Sequence, residues 1–233
     1  MAVGKILMWA AALAFAAFAI KMIEHIALWF GRTGLPIGGQ SQSVTRKWRA
    51  CFAALPEIFF LRRLLKANPA IWLGEWIFHA SFILVLVRHL KYFLTPAPQF
   101  VWQMQDIGGI AGYVMPVSLL YIIIMKAVIN RGRYVFAFNY FLITAFLLAS
   151  LAGVIMRTFF YPDTMQVKEF IMGALRLKAA AAPQSLSFII HFCLALIILP
   201  FLPTHIFAAP FTIYQARKRD KELKTVIHGP NRQ

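Results

Sequence analysis

Five runs of apolar residues alternate with short polar segments along the chain. They extend from about Ile6 to Phe30, Ile71 to Leu94, Ile107 to Ile129, Tyr134 to Phe160 and Leu186 to Tyr214. A hydrocarbon core of ~30 Å is crossed by about 20 apolar residues in a helix. In lipid each backbone N–H and C=O must be satisfied within its own segment, so a single run of this length has to be helical. The pattern predicts an all-α integral membrane protein with five transmembrane helices. The first run is too long for a cleaved signal peptide. It ends in Lys21, Glu24 and His25 rather than a small-residue cleavage neck, so it is expected to remain a membrane span.

Composition agrees with that pattern. The 233 residues are 61% hydrophobic and 14% charged, against about 45–50% and about 25% in soluble domains. Cys51 and Cys193 lie far apart and form no CxxC pattern, which argues against a disulfide framework and against a cysteine-held Fe–S cluster in this chain. The net charge of +16 raises nucleic acid as a partner, but the basic residues sort by loop. Residues 31–69 carry Arg32, Arg46, Lys47, Arg49, Arg62, Arg63 and Lys66 against Glu57, while TPAPQFVWQMQ has no basic residue. NRGRY has Arg131 and Arg133, and the tail holds Arg217, Lys218, Arg219, Lys221, Lys224 and Arg232. Positive-inside bias then sets the N-terminus outside and the C-terminus in the cytoplasm of a multi-pass protein of the cytoplasmic (inner) membrane. The charge reports topology, and nucleic acid is not expected as a partner.

Residues 1–216 read as one membrane domain with a cytoplasmic loop at 31–69, followed by a basic cytoplasmic tail at 217–233. Within the loop, LPEIFFLRRLLKA reads as a short interfacial helix opened by Pro56, its apolar residues on the bilayer and Arg62, Arg63 and Lys66 toward headgroups. A dock for a cytoplasmic partner, built from loop and tail, is the sharper alternative.

Ionisable groups at membrane depth are costly, and they persist mostly where they serve a site. The second run, WIFHASFILVLVRHLKYF, nevertheless carries His79 and His89, and the fifth carries His191 and His205. His228 belongs to the polar tail, and His25 reads as snorkelling or paired locally beside Lys21 and Glu24. Ten helical residues separate two side chains by ~15 Å and about −80°, and fourteen by ~21 Å and about −40°. Each pair therefore shares one broad face at two depths. The two helices run antiparallel, which sets His79 opposite His205 and His89 opposite His191. Two stacked imidazole pairs suit two six-coordinate haems, because neutral imidazole is a common axial ligand of haem iron. A metal path would gather its ligands at one depth. A proton relay would call for carboxylates at membrane depth, and the candidates, Glu75 and Asp106, sit at helix ends.

Two runs also carry a resemblance. FHASFILVLVRHLKYFLTP, with FH, nine intervening residues, HL and a closing LTP, resembles the second helix of the respiratory nitrate reductase gamma-subunit family. HFCLALIILPFLPTHIFAAP resembles its fifth helix. WLGEWIFHASFILVLVRHLKYF and FFLRRLLKANPAIW are closer to the DsrM-like membrane cytochrome b subunits of the sulfite-reductase-associated transmembrane complex, and DTMQVKEFIMG points the same way. The resemblance covers nearly the whole chain. It implies two haem b groups on His79, His89, His191 and His205, and electron exchange between the quinone pool and a cytoplasmic Fe–S subunit in dissimilatory sulfur metabolism. Further membrane or periplasmic subunits fit the same picture. This sequence departs from the nitrate reductase pattern in a fifth-helix histidine interval about one turn shorter, and in Arg88 where Gly is common.

Arg88 and Lys91 flank His89. They either meet haem propionates or a quinone oxygen through charge-assisted hydrogen bonds, or snorkel to headgroups. Arg157, near the end of the fourth run, has the same two readings. Gly108, Gly109 and Gly112 in QDIGGIAGY are read as helix packing. Two rivals stand beside the sulfur-linked cytochrome: a gamma subunit of a nitrate reductase or heterodisulfide-reductase-like complex, and a non-redox membrane anchor.

Overall fold

A computed structural model describes residues 2–33, 59–129, 137–178 and 180–207. Its long helices are α1 (Ala2–Thr33), α3 (Pro69–Phe93), α5 (Gln105–Ile129), α6 (Ala137–Phe159) and α8 (Leu186–Ile198). Shorter helices are α2 (Arg62–Ala67), α4 (Gln99–Gln103) and α7 (Thr164–Leu175). After α8 a 3₁₀ turn, Leu199–Phe201, leads into a last described helical segment at 202–207. Among the described residues, five helical segments are long and apolar enough to cross a membrane: Ala2–Leu28, Pro69–Phe93, Gln105–Ile129, Asn139–Phe159 and Leu186–Phe207. The fold is all-α, and these spans coincide with the five apolar runs. The segment around Pro56, Cys51, loop residues 34–58, Arg131, Arg133 and the tail with His228 lie outside the described residues.

Local chemistry sets several helix ends. Asn68 caps α3 by accepting from the Ile71 backbone N–H at 3.1 Å, with Pro69 in the first turn, where its missing N–H costs nothing. Asp163 caps α7 through Met165 N–H at 2.9 Å. The fifth span is interrupted where the sequence placed its prolines. Pro200 and Pro203 supply no N–H, so the backbone closes a 3₁₀ turn at Leu199–Phe201 before helical structure resumes.

The described residues fall into two compact units. One holds residues up to Ala17 and from Leu64 to Pro200, and the other holds the remainder. In the first unit α3 packs on α5, α5 on α6, and α6 on α8. Phe78 and Phe82 of α3 meet Phe146 of α6 edge-on at 5.5 and 5.3 Å. Between the fourth and fifth apolar runs, 164–175 forms the amphipathic helix α7. Its Val167, Phe170 and Ile171 follow the i, i+3, i+4 rule and are buried with Leu7 and Phe188. Outward residues such as Ile110 and Val117 expose about two thirds of their surface, 66% and 68%, as suits helices solvated by lipid rather than water. In the second unit the ring of His25 stacks on Phe207 at 5.6 Å, and its Nε2 lies 3.2 Å from Thr204 Oγ1. His25 therefore pairs with the end of the fifth span, not locally as expected.

Candidate functional site

The site is built on the end of α3 that carries His89 and on the middle of α8. His89 and His191 face one another with ring centroids 6.3 Å apart and planes 24° from parallel. Each ring is held through Nδ1. His89 Nδ1 lies 2.7 Å from the Val85 carbonyl, one turn back on its own helix. His191 Nδ1 lies 2.9 Å from the Ala149 carbonyl on α6. A carbonyl only accepts, so Nδ1 carries the proton and Nε2 carries the lone pair. Donating the second ring N–H to a carbonyl is how ligating imidazoles are usually fixed in tautomer and orientation. His79 follows the same rule, its Nδ1 2.6 Å from the Glu75 carbonyl. Phe78 meets the His79 ring edge-on at 5.0 Å.

The fourth histidine singled out, His205, belongs to the second unit and is exposed. The structure thus brings together His89 and His191, and the pairing of His79 with His205 is a proposal.

Helix α6 approaches the imidazole pair through residues that have no side-chain chemistry. Ala149 gives its carbonyl to His191, and four residues on, Gly153 lies under the ring. A β-carbon at 153 would sit 3.0 Å from His191 Cε1 and 3.3 Å from Nδ1, inside ordinary van der Waals contact. These two residues were missed from sequence. A glycine in the interior of an apolar helix was the only signal at Gly153.

Four residues further along α6 comes Arg157. Its guanidinium lies against the backbone of Gly109, where an added β-carbon would meet Nη2 at 2.8 Å and Cζ at 2.9 Å. Neighbouring Gly108 receives the stem of Arg88, whose Cβ would lie 2.8 Å from a β-carbon there. Gly112 faces open space. Two of the three glycines read as helix packing therefore make room for arginines from two other helices. Lys91 is already engaged: its Nζ donates to Gln105 Oε1 at 2.9 Å and lies 5.1 Å from the Tyr92 ring centre. Arg157 Nη1 is enclosed and has no hydrogen-bond partner.

These residues can be tested against a haem. An imidazole nitrogen lies about 2 Å from a metal it ligates and its ring centre about 1 Å further, so a trans pair has centroids roughly 6 Å apart. The 6.3 Å between His89 and His191 fits that spacing. The unpartnered donor on Arg157 suits a group with an anionic edge.

Fold and site together describe a multi-pass membrane protein in which two imidazoles on different helices confront each other between the spans. The chain is similar to the Hdr-like menaquinol oxidoreductase cytochrome b-like subunit of Archaeoglobus fulgidus. The two are 27% identical over an alignment covering 82% of this chain and 71% of the relative. A second relative of the same description, from Archaeoglobus profundus, is 25% identical over 57% of this chain and 44% of its own length. No protein-family model and no solved structure matches the chain. A membrane cytochrome b-like subunit is what these likenesses support.

Proposed function

We propose that this chain is the di-haem b membrane subunit of a respiratory redox complex, moving electrons between the quinone pool and a cytoplasmic Fe–S partner. The observation that carries this reading is the facing pair His89 and His191, spaced for a shared metal and each with Nδ1 tied to a carbonyl. The haem held there would lie toward the outer face, and the second, on His79 and His205, toward the cytoplasmic side. Bound in these places, haem iron would supply the reversible one-electron redox chemistry.

The chain's own residues have distinct duties. His89 and His191 would hold the iron, and the carbonyls of Val85 and Ala149 take the Nδ1 protons and leave each Nε2 lone pair free to do so. Gly153 leaves space for the His191 ring, so the helices need not spread. Phe78, Phe82 and Phe146 fill the region between α3 and α6 with apolar rings and exclude water. Arg88 and Lys91 add positive charge beside His89, suited to an anionic edge or a quinone oxygen.

The description shared by both relatives favours menaquinol as the quinone-pool substrate and an Hdr-like complex as the assembly. The likeness of WLGEWIFHASFILVLVRHLKYF to DsrM-like subunits favours a partner in dissimilatory sulfur metabolism. A reduced-minus-oxidised optical spectrum of the purified protein tests the reading. A b-type alpha band with two haems per chain is expected, and the absence of the band would leave the non-redox anchor in its place. Sequencing the subunits that co-purify decides between the sulfur-linked and Hdr-like assemblies.

A further inference from the structure

Arg157 is a cation in the last turn of a membrane helix, with one guanidinium nitrogen enclosed and without a hydrogen-bond partner. Such a donor is unfavourable in a low-dielectric interior unless an acceptor meets it. The surroundings have been shaped to hold it in place. Gly109 admits the guanidinium flat against the α5 backbone. The Tyr113 ring lies 5.5 Å from Cζ on one side, and Tyr113 Oη is within 3.2 Å of Thr158 Oγ1.

Its position is fixed relative to the imidazole pair. Ala149, Gly153 and Arg157 are spaced four apart on α6, so they form one stripe along the helix. The first holds His191, the second lies under its ring, and the third stands one turn, ~6 Å, further on. Arg88 is close enough for its charge to act on that of Arg157, and Lys91 is within range of both. Three cations sharing one end of the bundle call for negative charge. Lys91 has its own acceptor in Gln105, and Asp106, the acid in range of Arg88, is exposed.

We propose that Arg157, supported by Arg88, binds the carboxylates of the porphyrin whose iron His89 and His191 hold. The proposal rests on the haem reading of that pair. Porphyrin carboxylates hang from the edge of the ring, so they would be met by a cation beside the ligands rather than in line with them. A planar fork with an unmet N–H suits a carboxylate better than a neutral quinone oxygen, which would satisfy the hydrogen bond and leave the charge.

The test compares haem with its dimethyl ester, in which both carboxylates are masked. Full-length wild-type protein and Arg157→Gln are stripped and reconstituted with each. Haem equivalents are read optically, and low-spin bis-imidazole ligation is read by electron paramagnetic resonance. Wild type should retain free-acid haem over the ester on the order of tenfold better at one of its two sites. In Arg157→Gln that preference should disappear while bis-imidazole ligation persists, and Arg157→Lys should recover part of it. If Arg157→Gln keeps the wild-type preference, the proposal fails while the haem reading stands. If wild type takes up no haem at all, both fail. Should Arg157→Gln not accumulate, Arg157→Lys decides, and an unchanged preference there overturns the assignment.

Discussion

Lys126 Nζ and Glu75 Oε1 form an ion pair 2.8 Å long between α5 and α3, with both side chains more than four fifths buried, 19% and 17% exposed. The backbone carbonyl of the same Glu75 accepts from His79 Nδ1. A carboxylate that the sequence places only at a helix end thus joins an ion pair that clamps the turn carrying a proposed haem ligand.

Removing one partner leaves a charge stranded in an apolar layer. Lys126→Met or Glu75→Met alone should each cost about 3 kcal/mol. The double variant, with both charges gone, should recover most of that loss. Thermal unfolding in detergent, arranged as a double-mutant cycle, measures the coupling. Purely additive losses would mean the pair contributes nothing to stability.

The histidines make separable predictions. His89→Ala and His191→Ala should each remove the same one of two haems, and His79→Ala and His205→Ala the other. Haem-to-protein ratios near one for all four, against two in wild type, are expected. If all four variants keep full haem content, the ligand assignment is wrong.

Gly153 offers a steric test without touching a ligand. A methyl at 153 would press His191 Cε1 at 3.0 Å, so Gly153→Ala should shift that haem's alpha band or lower its occupancy. Gly153→Leu should approach the loss in His191→Ala. Gly112→Ala is the control, because nothing lies within 4 Å of a β-carbon there. Optical spectra of the three variants decide it, and an unperturbed Gly153→Leu spectrum would refute the close approach.

Phe170 is 1% exposed and meets Phe188 and Phe192 edge-on at 6.0 and 5.5 Å. Phe170→Ala should lower stability by about 3 kcal/mol through the cavity it leaves. Haem content at low temperature should not change, since α7 contributes no ligand. Thermal unfolding and the haem ratio, measured on one sample, separate the two effects.

The five spans were legible because lipid imposes a length and an apolar composition that each run displays in full. Helix α7 was not. Its twelve residues, Thr164–Leu175, mix charge with Val167, Phe170 and Ile171, and its only overt signals were the Asp163 cap and that short apolar spacing. The juxtaposition of His89 with His191 was legible because two antiparallel helices each carry a histidine pair on one broad face at two depths. The second half of the site did not follow, because it consists of a carbonyl at Ala149 and a missing side chain at Gly153. Neither has a chemistry that a sequence displays. His25 misled for the opposite reason: charged neighbours suggested a local role, while its partner Thr204 lies 179 residues away.

Helix α6 presents a carbonyl, a gap and a cation along a single line, so all three depend on one rotational setting. Each residue of a helix advances the face by about 100°. A one-residue insertion or deletion between 139 and 148 would leave the span as apolar and nearly as long as before. It would nevertheless swing Ala149 and Gly153 away from His191 and Arg157 away from Gly109 together, as a key turned in its lock withdraws every tooth at once.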